Sequence, residues 1–307
     1  MIIDTHQHVF WHGRDDAGLI ADLDEHSIDL AWLLTWEIAS TEDSPAYHHV
    51  LNPEHLRPDG THAGIVLADL IKARDRYPDR FVLGYCPHPC LGDAPALLEA
   101  AHRMHGARVC GEWKFRMLFD DPRCLNLYRK AGELGMPVVL HLDVPYLNDK
   151  ATGRPVYQPN WYGGTVANLE RALQACPETT FIGHAPGFWR EISGDADQAA
   201  SHYPEGPLAP GNRIEHLLER YPNLYADLSA GSALRALKRD VAFSRNLLER
   251  FQNRFLFARD YYGGELMAFL RQMDLSDSAW SAIVHGNAQR LVPLDAETVP
   301  ASTMTLS

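Results

Sequence analysis

Short apolar runs alternate with stretches of helical period along most of the chain. Eight runs read as strands: Ile2–Val9, Asp29–Trp36, Phe81–Cys86, Ala107–Phe115, Met136–Leu142, Thr179–His184, Leu224–Ser229 and Arg254–Asp260. Between them lie a short helical segment after the first strand, a charged helix around Ile65–Tyr77, and helix-like stretches at Ala94–His105, Cys124–Leu134, Thr165–Cys176, Ile214–Tyr221, Ser232–Phe251 and Glu265–Met273. Such alternation points to a parallel sheet covered by helices. Eight βα units match an α/β fold of the (β/α)8 TIM-barrel kind, which takes about 250 residues plus insertions. The extra length sits just after strands, at Glu37–His62, Asp143–Gly164 and Pro186–Asn212, where loops surround the active sites of such barrels. One barrel over 1–294 is expected, followed by a polar, aperiodic tail over 295–307 that is frayed or draped on the surface. No solenoid repeat or low-complexity block interrupts this pattern.

Composition narrows the function classes. At 307 residues, with 46% hydrophobic and 22% charged positions, the chain can bury a large core without staples. Its net charge of −12 argues against tracking nucleic acid or an anionic membrane surface, because phosphate binding needs clustered Lys and Arg. No apolar run approaches the roughly 18 residues that cross a bilayer. Met1 leads directly into the first strand, so no signal peptide is expected. Five cysteines, an odd number, favour reduced thiols in the cytoplasm. Cys86-Pro87-His88-Pro89-Cys90 has the form of half a zinc site but lacks a second cysteine pair, so buried or loop thiols are the favoured reading.

The chemistry stands at the strand ends. His6 and His8 share one face of the first strand, as alternation requires, and can hold one metal ion. Read alone, they are equally a solvated pair near a chain start. The fourth strand contains Glu112, the fifth ends at His141, the sixth at His184 and the eighth at Asp260. In a barrel these positions converge, and four imidazoles with two carboxylates suit one or two divalent cations. Each has a structural alternative. His141 could be a satisfied core histidine, and Lys114 could neutralise Glu112 across two residues of one strand face. Asp260 could pair with Arg259, since a buried carboxylate needs a partner. It is the coincidence of all six that favours a metal centre.

With those residues in view, the sequence resembles the amidohydrolase superfamily, in its amidohydrolase-2 branch. The likeness runs from Asp4-Thr5-His6-Gln7-His8 through Leu140-His141, Gly183-His184 and Arg259-Asp260-Tyr261 to Gly286-Asn287-Ala288. It implies a distorted (β/α)8 barrel in which His6, His8 and Asp260 bind one metal. His141 and His184 complete that site or bind a second. The branch includes lactonases, other hydrolases and non-oxidative decarboxylases; in the latter the metal is single and the sixth-strand histidine acts on substrate. Gly111-Glu112 departs from the branch and is similar to the Gly-Glu of TatD-type hydrolases, whose glutamate bridges two metals. A TatD-like nuclease is disfavoured by the acidic balance.

The expected activity is hydrolysis of a small organic ester, lactone or amide by a metal-activated water. Asp260 is the expected proton carrier, and His184 the expected holder of the oxyanion or of the second metal. Zinc leads manganese and iron as the cation, since imidazole with carboxylate suits all three. Lys114, Arg116 and Arg259 are candidates for a substrate carboxylate, each with an ion-pair role as the structural alternative. Trp11, Trp36, Trp113, Trp161 and Trp189 would supply a flat wall, at least half of them as packing. The competing readings are a decarboxylase of the same branch and a catalytically silent metal-binding barrel. A small-molecule substrate is the expected partner, and a homo-oligomer is compatible with the sequence.

Overall fold

The computed structural model describes residues 1–294, and the predicted polar tail over 295–307 lies outside the described residues. The strands, in chain order, are β1 (Ile3–Gln7), β2 (Leu30–Leu33), β3 (Trp36–Glu37), β4 (Gly64–Ile65), β5 (Phe81–Leu83), β6 (Cys110–Trp113), β7 (Val138–His141), β8 (Tyr146–Asn148), β9 (Pro155–Tyr157), β10 (Phe181–His184), β11 (Leu224–Asp227) and β12 (Phe255–Leu256). All eight predicted strands are present, shorter than their apolar runs. They form two parallel ladders, β1-β2-β5 and β12-β11-β10-β7-β6.

Single backbone bonds join these ladders into a ring. Thr5 N donates to Phe257 O at 3.0 Å and Asp260 N to His6 O at 2.8 Å, closing β12 on β1. On the other side Tyr85 N donates to Val109 O at 2.9 Å and Arg108 N to Leu83 O at 2.8 Å. Higher up, the chain after β2 reaches β6 directly: Thr35 N donates to Gly111 O at 3.0 Å, and Glu112 N to Thr35 O at 2.7 Å. The result is a TIM barrel distorted at the third strand.

Alternation sorts the strand residues. Ile3, Val82, Val109, Val139, Ile182 and Leu256 pack together in the lumen, while their neighbours Phe81, Val138, Phe181 and Phe255 pack outward against the helices. Ala288 and Val292 belong to the lumen cluster, so the final helix, Asn287–Leu291, stoppers the N-terminal end. Asn287 fastens it there, donating to Gln252 O at 2.8 Å and Phe255 O at 2.7 Å. The C-terminal end is left for chemistry.

Two predictions of local structure are corrected by capping and pairing. The helix expected over Ser232–Phe251 is two, Ala230–Lys238 and Val241–Arg250, because Asp240 accepts from Phe243 N and starts a new helix. The second strand stops at Leu33, and Trp36 pairs antiparallel with Ile65 instead. The three insertions are ordered: short 3-10 turns between Ser40 and His55, the β8-β9 hairpin, and a short helix at Pro186–Trp189. Among the described residues no helix is long and apolar enough to cross a membrane.

Candidate metal centre

Two register slips aim the ligands. On β1, Asp4 pairs with Ala31 and Gln7 with Leu33, so β1 carries one residue more than β2 between those points. The extra residue switches parity. Ile3 faces the lumen below the slip, His6 and His8 face it above, and Asp4 and Gln7 face outward, joined at 2.8 Å. The same device recurs on β6, between Cys110 and Trp113. It turns Glu112 inward over Val109, and Thr35 holds its backbone. On β10 a Cβ at Gly183 would stand 2.3 Å from the Phe188 ring. Only glycine lets the chain pass there and lift His184 into the site.

Hydrogen bonds fix which nitrogen each histidine offers. His8 Nδ1 meets Leu34 O at 2.8 Å, an acceptor only, so Nδ1 carries the proton and Nε2 the lone pair. His6 Nδ1 donates to Asp227 Oδ2 at 2.9 Å. His184 Nδ1 faces Asp227 Oδ1 at 3.0 Å and Ser229 Oγ at 2.6 Å. Three Nε2 lone pairs therefore point inward together with two carboxylates. His6 and His8 Nε2 lie 3.3 Å apart, and His8 Nε2 lies 3.4 Å from Asp260 Oδ1 and 3.6 Å from Glu112 Oε2. His6 Nε2 is 3.7 Å from Asp260 Oδ1 and 4.0 Å from Glu112 Oε1. His184 Nε2, buried and without a hydrogen-bond partner, is 3.4 Å from Glu112 Oε1 and 3.7 Å from Asp260 Oδ2.

Acceptors crowded against acceptors repel unless a cation stands between them. Bonds of 2.0–2.1 Å in a tetrahedron put donors about 3.3–3.4 Å apart, close to the shorter of these separations. The chemistry of the set and the orphaned Nε2 thus fit a divalent cation. Burial and the neighbouring His184 depress the His6 pKa, but Asp260 and Asp227 outweigh them and hold it above its ordinary value. Burial pushes Glu112 up, and Lys114, His141 and His6 pull it well below the usual carboxylate range.

His141 differs from the other three. Its Nδ1 lies 2.5 Å from Glu112 Oε1 and its Nε2 2.9 Å from Asp143 Oδ2. With an acid on each nitrogen it is a charged ring: burial and Lys114 push its pKa down, and Glu112 and Asp143 raise it overall. As a ligand it would have to release Glu112.

The structure brings all six predicted ligands together, in the overlapping triads His6/His8/Glu112, His6/His184/Asp260 and Glu112/His141/His184. Asp227 was missed, although it ends an apolar strand just as Asp260 does. Fully buried, it should have a high pKa, yet the two imidazoles it carries hold it well below the carboxylate range. It orients the rings of His6 and His184 through their Nδ1 atoms and helps to hold the His6 pKa up. Asp227→Asn should therefore weaken metal affinity about 10–100-fold, read by chelator competition against wild type. An unchanged affinity would remove Asp227 from the site.

The three cationic candidates separate. Arg259 turns outward: its Nε lies 2.6 Å from Asp4 and its Nη1 2.7 Å from Asp22. Among the described residues no ion pair joins it to Asp260, and its guanidinium makes the ion-pair role given as its structural alternative, with Asp4 and Asp22 as the acids. Arg116 stands at the rim, its Nη2 donating to Asn160 Oδ1 at 3.2 Å. Lys114 enters the cavity over the triads, a space of about 520 Å³ also lined by Tyr47, Asp143, Asn160, Tyr203 and Asp260. The alternative reading of Lys114 as the ion-pair partner of Glu112 finds no pair within 4 Å among the described residues. Trp11 and Trp36 adjoin the site, with rings 5.9 Å apart, whereas Trp113 and Trp189 are core. Cys86 is buried beside Cys110 and Cys90 is exposed near Arg123, so among the described residues the Cys-Pro-His-Pro-Cys run gathers no ligand set.

The family model described as Amidohydrolase matches residues 3–294. No curated protein matches the chain. Solved structures share its fold. An uncharacterised TIM-barrel protein from Bordetella bronchiseptica is 17% identical with a TM-score of 0.62, over 94% of this chain and 97% of that one. A dihydroxybenzoic acid decarboxylase from a Polaromonas species, with manganese and the inhibitor 2-nitroresorcinol bound, is 16% identical with a TM-score of 0.59, over 97% and 99%. The 5-carboxyvanillate decarboxylase of Sphingomonas paucimobilis is 15% identical with a TM-score of 0.59, over 96% and 99%.

Proposed function

The chain belongs to the amidohydrolase family, and from that premise we propose that it is a metal-dependent hydrolase of small organic esters, lactones or amides. Members of this family are metal-dependent enzymes, hydrolases and decarboxylases among them. The observation that carries the hydrolytic reading is the stance of Glu112. Its Oε2 faces His8, and its Oε1 faces His184 and His141, so one carboxylate stands between two ligand triads. A carboxylate so placed can be shared by two cations.

When bound, a divalent cation supplies Lewis acidity that polarises a carbonyl and acidifies water. His6, His8, Glu112 and Asp260 are the proposed holders of the first ion, and His141 and His184, with Glu112 shared, of a second. Zinc is the first choice, with manganese and iron next. Asp260 takes the proton of the attacking water at a carboxylate oxygen and returns it to the leaving group. Asp143 meets His141 at the cavity wall and holds that ring in place.

Elemental analysis of protein purified without chelators tests this. Two ions per chain are expected, falling to one or none in Glu112→Ala. A single ion, unmoved by that substitution, would shift the reading to non-oxidative decarboxylation. One feature favours that second reading: the 2.5 Å bond between His141 and Glu112 leaves the second site less preformed than the first. Carbon dioxide released from a carboxylated aromatic would establish it.

A further inference from the structure

Three arginines and a histidine gather at a second recess, beside the catalytic cavity. Arg190, His202, Arg235 and Arg239 line it with Trp189 and Tyr203, and among the described residues no carboxylate does. That gathering runs against the chain's own balance of 40 acidic to 28 basic residues.

The guanidiniums are poorly paired. Arg190 is 6% exposed. Its Nη2 donates to Ala196 O, and its Nε lies 4.0 Å from a Glu191 that Arg213 already holds at 2.8 Å. Its Nη1 is buried and has no partner among the described residues. Arg239 spends its N–H groups on the carbonyls of Pro204, Gly206 and Ala236 and on the Ser193 hydroxyl. Arg235 has the face of the Tyr203 ring, 4.8 Å away, and like Arg239 it meets no acid within 4 Å among the described residues. His202 Nδ1 is buried and unbonded, 4.0 Å from Asp143. Charges left short of acids inside a protein are costly. Burial accordingly pulls Arg190 below its ordinary pKa against Glu191, Asp197 and Asp195, and Arg239 below its own against Asp195.

The recess measures about 20 Å³, against about 520 Å³ for the catalytic cavity. It has room for one compact group and none for a substrate body. In so small a space every lining residue stands close to the occupant. The lining offers guanidinium N–H donors in excess of acceptors, which suits an anion better than a water and repels a cation.

We propose that this recess is a site for a small monovalent inorganic anion of the halide class, held by Arg190 Nη1 and the Arg235 guanidinium. Its walls come from three segments, around 186–190, 202–204 and 232–239. Pro186, His202 and Tyr203 line the catalytic cavity as well. The bound anion therefore ties three separate segments together and fixes a loop that walls the catalytic cavity. This role is independent of the reaction catalysed there.

Bromide, which stands in for chloride and is located by anomalous scattering, tests this in crystals of the protein grown with sodium bromide. A peak in the recess is expected, lost in Arg190→Gln; an empty recess in wild type would overturn the proposal. In solution, melts at fixed ionic strength exchange gluconate for chloride. Tm should rise with the logarithm of chloride concentration, as for a ligand of the folded state alone. Arg235→Gln should need roughly ten- to a hundredfold more chloride for the same rise. Sulfate, too large for the recess, should raise Tm equally in wild type and variants. A sulfate rise that depends on Arg235 would mark a larger oxyanion site and overturn the halide assignment. A bromide peak with no chloride response in Tm would mean an adventitious ion only, and also overturns it. So does a chloride response that both substitutions leave intact, since it belongs to the metal centre or to bulk salt. Should Arg190→Gln fail to fold, the Arg235→Gln comparison decides alone.

Discussion

Asp260→Asn should lower kcat about 10²–10⁴-fold while the barrel stays folded. The carboxylate closes one ligand triad and lies 3.4 Å from His8 Nε2 and 3.7 Å from the Nε2 atoms of His6 and His184. Burial would raise its pKa, but the imidazoles around it keep it below the ordinary value. The ionised form that a proton carrier needs is thus the favoured one. An amide of the same shape cannot accept that proton. The comparison needs kcat and metal content from one preparation, on any ester, lactone or amide that wild type turns over. A metal-loaded variant with near-wild-type turnover would remove Asp260 as the proton carrier. Acid should silence wild type by another route, since protons and cation compete for the imidazoles. Raising the metal concentration should move that acid limb to lower pH.

The largest loss of stability is expected from Arg259→Met. Arg259 is buried between Asp4 and Asp22, and its backbone N–H also donates to Asp4 at 3.0 Å. Asp4 belongs to β1 and Arg259 lies three residues beyond the end of β12, so this pair pins the seam where the barrel closes. Removing the guanidinium strands two buried carboxylates at a cost of about 3–5 kcal/mol. For a domain of this size that lowers Tm by roughly 6–20 °C, at about 2–4 °C per kcal/mol.

The pH dependence gives an independent sign. In wild type, burial raises Asp22, and Arg259 with the Gly263 N–H pulls it below its unfolded value. Its contribution is thus present above the unfolded pKa and lost as pH falls through the folded one. In the variant Asp22 loses that pull, and Asp4, which burial already holds above its ordinary value against the opposing Arg259, rises further. The folded state then binds protons more tightly, and the deficit shrinks on acidification. A melt series from pH 7 to pH 5 reads this. A deficit that stays constant or grows towards pH 5 would contradict the role given to Arg259.

Much of the architecture was legible because it is local. Apolar runs of strand length, spaced by amphipathic helices, specify eight βα units, and each run's end marks where a side chain can leave the core. His6, His8, Glu112, His141, His184 and Asp260 were readable on that ground, since a buried strand has no other use for a charged or imidazole terminus. Asp227 was equally readable and was passed over, because a single aspartate after Leu224-Tyr225-Ala226 carries no motif.

What the chain could not announce is set by contacts between distant segments. Alternation from Ile3 alone would turn His6 and His8 away from the lumen, and alternation from Val109 would do the same to Glu112. Register slips against neighbouring strands reverse both, and a slip depends on what the partner strand offers. Arg259 and Asp260 are adjacent, yet barrel closure gives one to Asp4 and Asp22 and the other to the imidazoles. Lys114 reads as a partner for Glu112 in one dimension, whereas folding surrounds it with Trp36, Tyr47 and Tyr162. Strand length and polarity are written residue by residue, but the partner of a buried charge is chosen by whichever remote side chain the closed barrel brings within reach.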